Sequence, residues 1–255
     1  MEEAGPRGEL AQPHASDYAR AVAKPVYIHG LPGSPRELDL AGARDRFRAV
    51  SPFADSMAEL AETPHPLDIH AFSLGAYAAL RFAAEYPDKV ASLTLISPAA
   101  PLELGDFLPD MAGGVVFRSA KLSPALFRAL SAVQALAVRA DPARALDPMF
   151  GSSTPTERAL AHAPDTRTVF EDGLRYTFLH HRCAYIDTVL QYVRPWADTL
   201  RHVRAPVRIV AGMDDIWTPP AMVEALAKAL PSHPTMEWVK GAGHYGALVA
   251  HLRGQ

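Results

Sequence analysis

The stretch Leu67-Asp-Ile-His-Ala-Phe-Ser-Leu-Gly75 decides the fold. Its first six residues are mostly apolar and include a β-branched and an aromatic residue, which predicts a buried strand over 67–72. Almost no loop follows. Residues 76–86, Ala-Tyr-Ala-Ala-Leu-Arg-Phe-Ala-Ala-Glu-Tyr, predict a helix of small side chains, so the chain turns from strand to helix within Ser73-Leu-Gly75. Pro87-Asp88 ends that helix, and residues 90–96, Val-Ala-Ser-Leu-Thr-Leu-Ile, predict the next strand. Strand, helix and strand in about 30 residues form a right-handed βαβ unit, and therefore part of a parallel sheet. A turn this sharp holds Ser73 in a sparsely populated backbone conformation, raises its side chain above the sheet and aims free helix N–H groups at the same place. Strand and helix pass close together, so only small residues fit two positions to either side, here Ala71 and Gly75. A serine that merely caps a helix would satisfy the same segment.

Working outward, residues 25–29 (Pro-Val-Tyr-Ile-His) predict another buried strand, running into the loop Gly30-Leu-Pro-Gly-Ser34. Ser34 is placed to cap a helix over 35–47 with Pro35 at its first position. A strand over 48–53 and a short helix over 56–62 follow. Residues 1–24 are polar and broken by Gly5, Pro6, Gly8 and Pro13, and read as a leader. Beyond residue 98 the alternation stops. Residues 120–139 carry Leu122, Leu126, Leu130, Val133 and Leu136 at helical spacing, and further helical stretches lie between 156 and 203. The strand–helix pattern returns with a strand over 206–211, a helix over 219–230 and a strand over 235–239. The expected organisation is an α/β core (25–97 and 206–255) interrupted by a helical insertion over 98–205.

Composition bounds the function. The chain has 255 residues, 49% hydrophobic and 21% charged, with a formal net charge of −3. That is ordinary for a globular domain and offers no basic excess for nucleic acid. The single cysteine, Cys183, excludes an intramolecular disulfide framework or a multi-thiolate metal site. No apolar run approaches the roughly 18 residues of a membrane span, and the N-terminus lacks the apolar core of a secretory signal. A cytoplasmic protein is expected.

Four places can carry chemistry. Besides Ser73, the loop His29-Gly-Leu-Pro-Gly33 has glycines that let the backbone turn and leave the Leu31 amide free for a developing oxyanion. Asp214 and Asp215 follow Gly212 at the end of a predicted parallel strand, where α/β sheets bind ligands. His244 lies in Gly241-Ala-Gly-His-Tyr-Gly246, a glycine-rich loop that offers a histidine little packing. A nucleophile, a carboxylate and an imidazole thus occur in the order Ser73, Asp215, His244, each after a separate strand.

These motifs resemble those of the α/β-hydrolase superfamily, whose nucleophile elbow is G-x-S-x-G and whose chain order is serine, acid, histidine. The resemblance rests on Ala71-Phe-Ser-Leu-Gly75, His29-Gly-Leu-Pro-Gly33, Gly212-Met-Asp-Asp215 with Pro219 behind it, and Gly243-His244, spanning positions 29 to 244. It implies an α/β fold with a mostly parallel central sheet of about six to seven strands flanked by helices, and it makes the insertion over 98–205 a helical cap. It also implies Ser73 as nucleophile, His244 as general base, Asp215 as the residue that orients the imidazole, and the Leu31 and Leu74 amides as an oxyanion hole. His29, Gly30, Gly33 and Gly75 support the two loops. The family spacing favours Asp215 over Asp214. The chain departs from the pattern in two places. Ala71 replaces the first elbow glycine, and only about 24 residues precede the first strand, where family members have two more strands. Either the sheet is shortened to about six strands or residues 16–23 supply one edge strand.

The implied activity is cofactor-independent, metal-free hydrolysis of an ester or thioester through an acyl-enzyme on Ser73. Amide or carbon–carbon bond cleavage on the same residues, or a non-catalytic ligand-binding member of the fold, are the alternatives. The insertion has nine basic residues against six acidic ones between Arg118 and Arg182, among them Arg128 and Arg139. Such a surface suits a solvated helical face or an acyl-carrier protein or CoA-linked substrate. His180 and His181 are expected on different faces of a helix, which argues against a shared metal site. Cys183 is read as a buried or partly exposed thiol rather than a nucleophile, and Phe117, Phe127, Tyr176, Phe178 and Trp196 are read first as packing residues, some of which also wall a pocket.

Overall fold

Val26, Tyr27 and Ile28 are all buried, and so is every residue of β3 except Asp68, so these strands are covered on both faces as a parallel sheet requires. The computed structural model describes residues 24–254. Its strands are β1 (Val26–Ile28), β2 (Arg48–Val50), β3 (Leu67–Phe72), β4 (Val90–Ile96), β5 (Val207–Gly212) and β6 (Thr235–Val239). They form one sheet in the order β2-β1-β3-β4-β5-β6, with every neighbouring pair parallel. Between β2 and β4 lie α1 (Ala54–Ala61) and α2 (Gly75–Glu85). The segment from β4 to β5 holds α3 (Gly114–Leu122), α4 (Pro124–Ala140), α5 (Pro142–Phe150), α6 (Pro155–His162), α7 (Pro164–Arg175) and α8 (Arg182–Tyr192). The chain closes with α9 (Pro220–Ala229) and α10 (His244–Arg253). Helix α2 packs on β1, β3 and β4, while α10 packs on β4, β5 and β6.

The sheet is α/β and six-stranded, all parallel, in agreement with the expected class. The edge strand considered for residues 16–23 lies outside the described residues. Two helices differ from expectation. Residues 35–47 form two short 3-10 turns, Pro35–Ala41 and Arg44–Arg46, because Gly42 adopts φ +61° between them and ends the first. The expected helix over 120–139 is broken at Ser123, which is extended (φ −161°) and whose hydroxyl accepts the Leu126 N–H, so that α4 restarts at Pro124. The same device repeats. Asp141 caps α5 before Pro142 and Thr154 caps α6 before Pro155, each with its side-chain oxygen on a backbone N–H. A proline costs nothing at the first helical position, since its missing N–H would have had no partner there. A cap followed by proline therefore cuts this region into short helices that can wrap a surface.

Candidate active site

Ser73 sits at φ +55°, between the last residue of β3 and the first of α2. The left-handed conformation costs a non-glycine residue about 1–3 kcal/mol, and hydrogen bonds on both sides hold it. The Ser73 N–H donates to the Ile96 carbonyl at 2.9 Å, and its own carbonyl accepts from Ala76 and Ala99 at 3.1 Å each. The hydroxyl lies 2.9 Å from His244 Nε2. His244 opens α10, and its Nδ1 lies 2.7 Å from Asp215 Oδ2. All three residues follow the C-terminal ends of parallel strands: Ser73 follows β3, Asp215 follows β5 and His244 follows β6.

Asp215 is fixed by its own loop. Oδ1 accepts the N–H groups of Trp217 (2.8 Å) and Thr218 (2.9 Å), and the Thr218 hydroxyl lies 2.9 Å from Oδ2. This is the side chain-to-backbone turn that aspartate favours. Burial pushes the Asp215 carboxyl up, but His244 beside it and the Thr218 hydrogen bonds more than offset this and leave it below the usual carboxylate range. Asp214 is exposed, and its backbone N–H is spent on the Ala242 carbonyl. Thr218 was not singled out from sequence; the signal would have been a threonine three residues after the acid, where its N–H and hydroxyl both reach the carboxylate.

The loop after β1 faces Ser73. Its Leu31 amide, like that of Leu74, has no hydrogen-bond partner among the described residues, and both leucines line the cavity that Ser73 opens into. Gly30 is needed where it stands, because a Cβ there would lie 2.9 Å from the Phe72 ring and 3.1 Å from Ser73 Cβ. His29 is fully buried. Burial drives its pKa down to about 4, and its neutral ring spans the Gly30 carbonyl (Nδ1, 2.7 Å) and the Ser51 hydroxyl (Nε2, 3.2 Å). Glu37 reaches under the same loop: its Oε2 accepts the Gly30 N–H (3.1 Å) and the Tyr27 hydroxyl (2.7 Å). On the other side, the Thr177 hydroxyl bridges the N–H and carbonyl of Gly33.

The cavity above Ser73 measures about 280 Å³ and is roofed by the helices between β4 and β5, with Phe117, Val138, Met149, Phe178 and Val189 among its walls. No charged side chain lines it among the described residues. Of the other aromatic residues, Phe127 and Trp196 are buried in packing and Tyr176 meets the His29 ring edge-to-face. His180 is exposed on a π-helical turn, whereas His181 packs against Phe53 and Tyr176. No group of three or more histidine, cysteine or acidic residues is arranged for a metal ion among the described residues. Cys183 is exposed. No described helix is long and apolar enough to cross a membrane.

Comparison with known proteins agrees with this architecture. No curated protein matches the sequence significantly. Among solved structures, a thermophilic esterase from Thermogutta terrifontis has 17% identity and a TM-score of 0.58, covering 91% of this chain and 87% of its own. An enol-lactonase from Burkholderia xenovorans has 13% identity and a TM-score of 0.55, covering 92% and 94%. A bromoperoxidase from Bacillus anthracis has 15% identity and a TM-score of 0.58, covering 91% and 89%. Identities this low speak for the fold alone, and the names span several chemistries. The sequence model of the alpha/beta hydrolase fold matches residues 30–250, which is nearly the whole described chain, and the protein therefore belongs to the α/β-hydrolase family.

Proposed function

We propose that the protein is a serine hydrolase that cleaves a carboxylic ester or thioester of an uncharged, apolar acyl group. The observation that carries this reading is the continuous hydrogen-bonded line from Asp215 through His244 to the Ser73 hydroxyl, ending at the floor of an apolar cavity. Ser73 Oγ attacks the acyl carbonyl carbon while His244 Nε2 takes its proton. The oxygen that gains charge is held by the Leu31 and Leu74 N–H groups. As the tetrahedral intermediate collapses, the bond to the leaving oxygen or sulfur breaks, and that atom takes the proton from His244. A water, deprotonated by the same imidazole, then attacks the acyl-enzyme and releases the acid, returning the proton to Ser73. Asp215 stays ionised throughout and stabilises the imidazolium. The helices between β4 and β5 act as a cap that keeps bulk water from the acyl chain.

Fluorophosphonate labelling of the wild type and Ser73→Ala, followed by a series of p-nitrophenyl esters and matched thioesters and amides, tests this. Labelling and turnover that vanish in the variant support the reading. A folded wild type that neither labels nor turns over any of them overturns it, and moves the non-catalytic binding role forward.

A carrier-borne acyl group is a second reading, favoured by Arg118, Lys121, Arg128 and Arg139. All four are exposed on α3 and α4, the helices that also wall the cavity, and none has an ion-pair partner among the described residues. An acyl-carrier protein or the phosphates of CoA would supply the missing negative charge. Reversing Arg128 and Arg139 to Glu then slows hydrolysis of the carrier-bound ester and spares the free ester; equal effects on both exclude this reading.

A further inference from the structure

Helix α10 begins at His244 with no cap of its own. The residue before it is Gly243, which has no side chain to offer, and the first N–H groups of a helix need acceptors. The acceptor comes from 88 residues away. Glu157, on the first turn of α6, sends Oε1 to the Tyr245 N–H at 2.6 Å and to the Gly246 N–H at 3.4 Å. The spacing Thr154-Pro-Thr-Glu157 would ordinarily make a local capping box, in which the glutamate turns back to the N–H of the threonine. Here Thr154 does its half, accepting the Glu157 N–H at 3.2 Å, while the carboxylate is used on a different helix. The fit is tight. Glu157 is 1% exposed, and a Cβ on Gly243 would stand 2.4 Å from Glu157 Oε2.

We propose that Glu157 is a positioning residue for the reaction: by capping α10 from the inserted helices it fixes His244 over Ser73 and places a negative charge behind the imidazole, so that the cap is part of the catalytic base's support. The proposal rests on the serine-hydrolase reading above. It assigns a role that packing alone would not. The residues touched are the two that follow His244, so a shift of the carboxylate passes directly to the imidazole. Glu157 does not line the cavity, so the substrate itself need not feel its loss. The titratable groups acting on Glu157 are His244 and Asp215, and the buried Tyr245 hydroxyl feels Glu37, Glu157 and Asp215 together. Burial raises the Glu157 pKa; His244 and the two N–H groups oppose that rise, which is the reciprocal of the charge support proposed for His244. Most charged residues of the neighbouring α5 and α7 pair elsewhere (Arg144 with Asp141, Asp147 with His162, Arg167 with Glu171, and Arg175 with Glu171 and Asp172), and Asp165 is exposed to solvent.

The test uses the full chain with Glu157→Gln and Glu157→Ala, each checked for folding by its thermal transition. It follows Ser73 labelling and the pH dependence of kcat and kcat/KM on one p-nitrophenyl ester. Gln keeps an oxygen for the two N–H groups and loses the charge. Its plateau rate should stay within about threefold of wild type, and its acid limb should move to lower pH by about half a unit or more, because the protonated imidazole is then less favoured. Ala loses the cap, and kcat should fall about ten- to hundredfold with KM within about twofold. An acid limb that does not move in Glu157→Gln overturns the proposal, as does an undiminished kcat in a folded Glu157→Ala. Should the alanine variant fail to fold, the limb of the glutamine variant decides alone. A wild type whose Ser73 does not label overturns the serine-hydrolase reading and the positioning role with it. Those two failures are distinguished by the wild-type lane.

Discussion

Gly75 lies directly against the His29 carbonyl: a Cβ on Gly75 would stand 2.5 Å from that oxygen and 2.6 Å from the Ile28 carbonyl oxygen. Both obstacles are backbone, so neither can swing aside. This contact lets the start of α2 pass close to the end of β1, and it brings the Leu74 amide and the Leu31 loop to the same side of Ser73. Gly75→Ala must push β1 and α2 apart. It should cost about 1–3 kcal/mol of stability and lower ester hydrolysis more than it raises KM. Urea denaturation and steady-state kinetics of the variant check both; an unchanged midpoint would mean that strand and helix do not pass this close.

Two adjacent carboxylates separate cleanly. Asp215 is 3% exposed and is held by two backbone N–H groups, the Thr218 hydroxyl and His244, whereas Asp214 is exposed. Asp215→Asn places an amide where the imidazole needs an acceptor, and kcat should fall by about 10²–10⁴. Asp214→Asn should change kcat less than twofold. Thr218→Val removes a hydroxyl from the same carboxylate and should fall between them, about three- to thirtyfold. Equal losses for the two aspartates would contradict this assignment.

The turn from β3 into α2 was legible because its constraints are local: a buried apolar run, an abrupt change of period, and small residues where backbones approach. Asp215 and His244 were legible as residues after strands, and the structure brings the Asp215 carboxylate within hydrogen-bonding distance of His244 and the far side of that imidazole within hydrogen-bonding distance of Ser73. What sequence did not disclose depends on contacts across the chain. The helical period over 120–139 ran through Ser123-Pro124 unbroken, because leucines at Leu122 and Leu126 keep the spacing on either side of the break. Glu157 read only as one of six acidic residues in a charge count; nothing near it in the sequence says that its partner is the helix of His244. Glu37 stayed hidden for the same reason, as a charged residue in a short helix-like stretch.

Glu37 makes a stability prediction. It is 3% exposed and burial raises its pKa to about 7, with Tyr27, Gly30 and His244 pulling the other way. The folded state therefore holds a proton on Glu37 that the unfolded chain releases near pH 4.5. Between those values folding takes up a proton, so this group favours the fold at low pH and its contribution is lost as pH rises from about 4.5 to about 7. The difference is on the order of 3 kcal/mol. His29 and His251, both lowered to about 4 chiefly by burial, act with the opposite sign over a similar range and mask the effect in the wild type. Comparison with Glu37→Gln isolates it. The stability of wild type minus that of the variant should fall as pH rises through this window, measured by urea denaturation at several pH values. A difference that is flat or rises with pH would show that Glu37 is not held protonated.

The cavity sets the last prediction. At about 280 Å³ it lies just below the usual range of ligand sites, about 300 to 1,000 Å³. Its walls beyond Ser73 come largely from the helices between β4 and β5, with Val138 of α4 facing it while 97% covered. An acyl chain that binds here must lie under α4, so p-nitrophenyl esters should show an optimum at short to medium chains rather than a steady rise with length. Val138→Phe adds bulk to the α4 wall of the cavity and leaves Ser73, His244 and both loops unaltered in sequence. It should therefore move the optimum to shorter chains, lowering kcat/KM for the longer esters about tenfold or more while acetate changes little. Since overpacking is destabilising in its own right, the acetate rate is the internal control for an intact fold. A profile that drops uniformly at all lengths would report a damaged core. A profile identical to wild type would place the acyl chain elsewhere and leave the cavity under α4 to the leaving group.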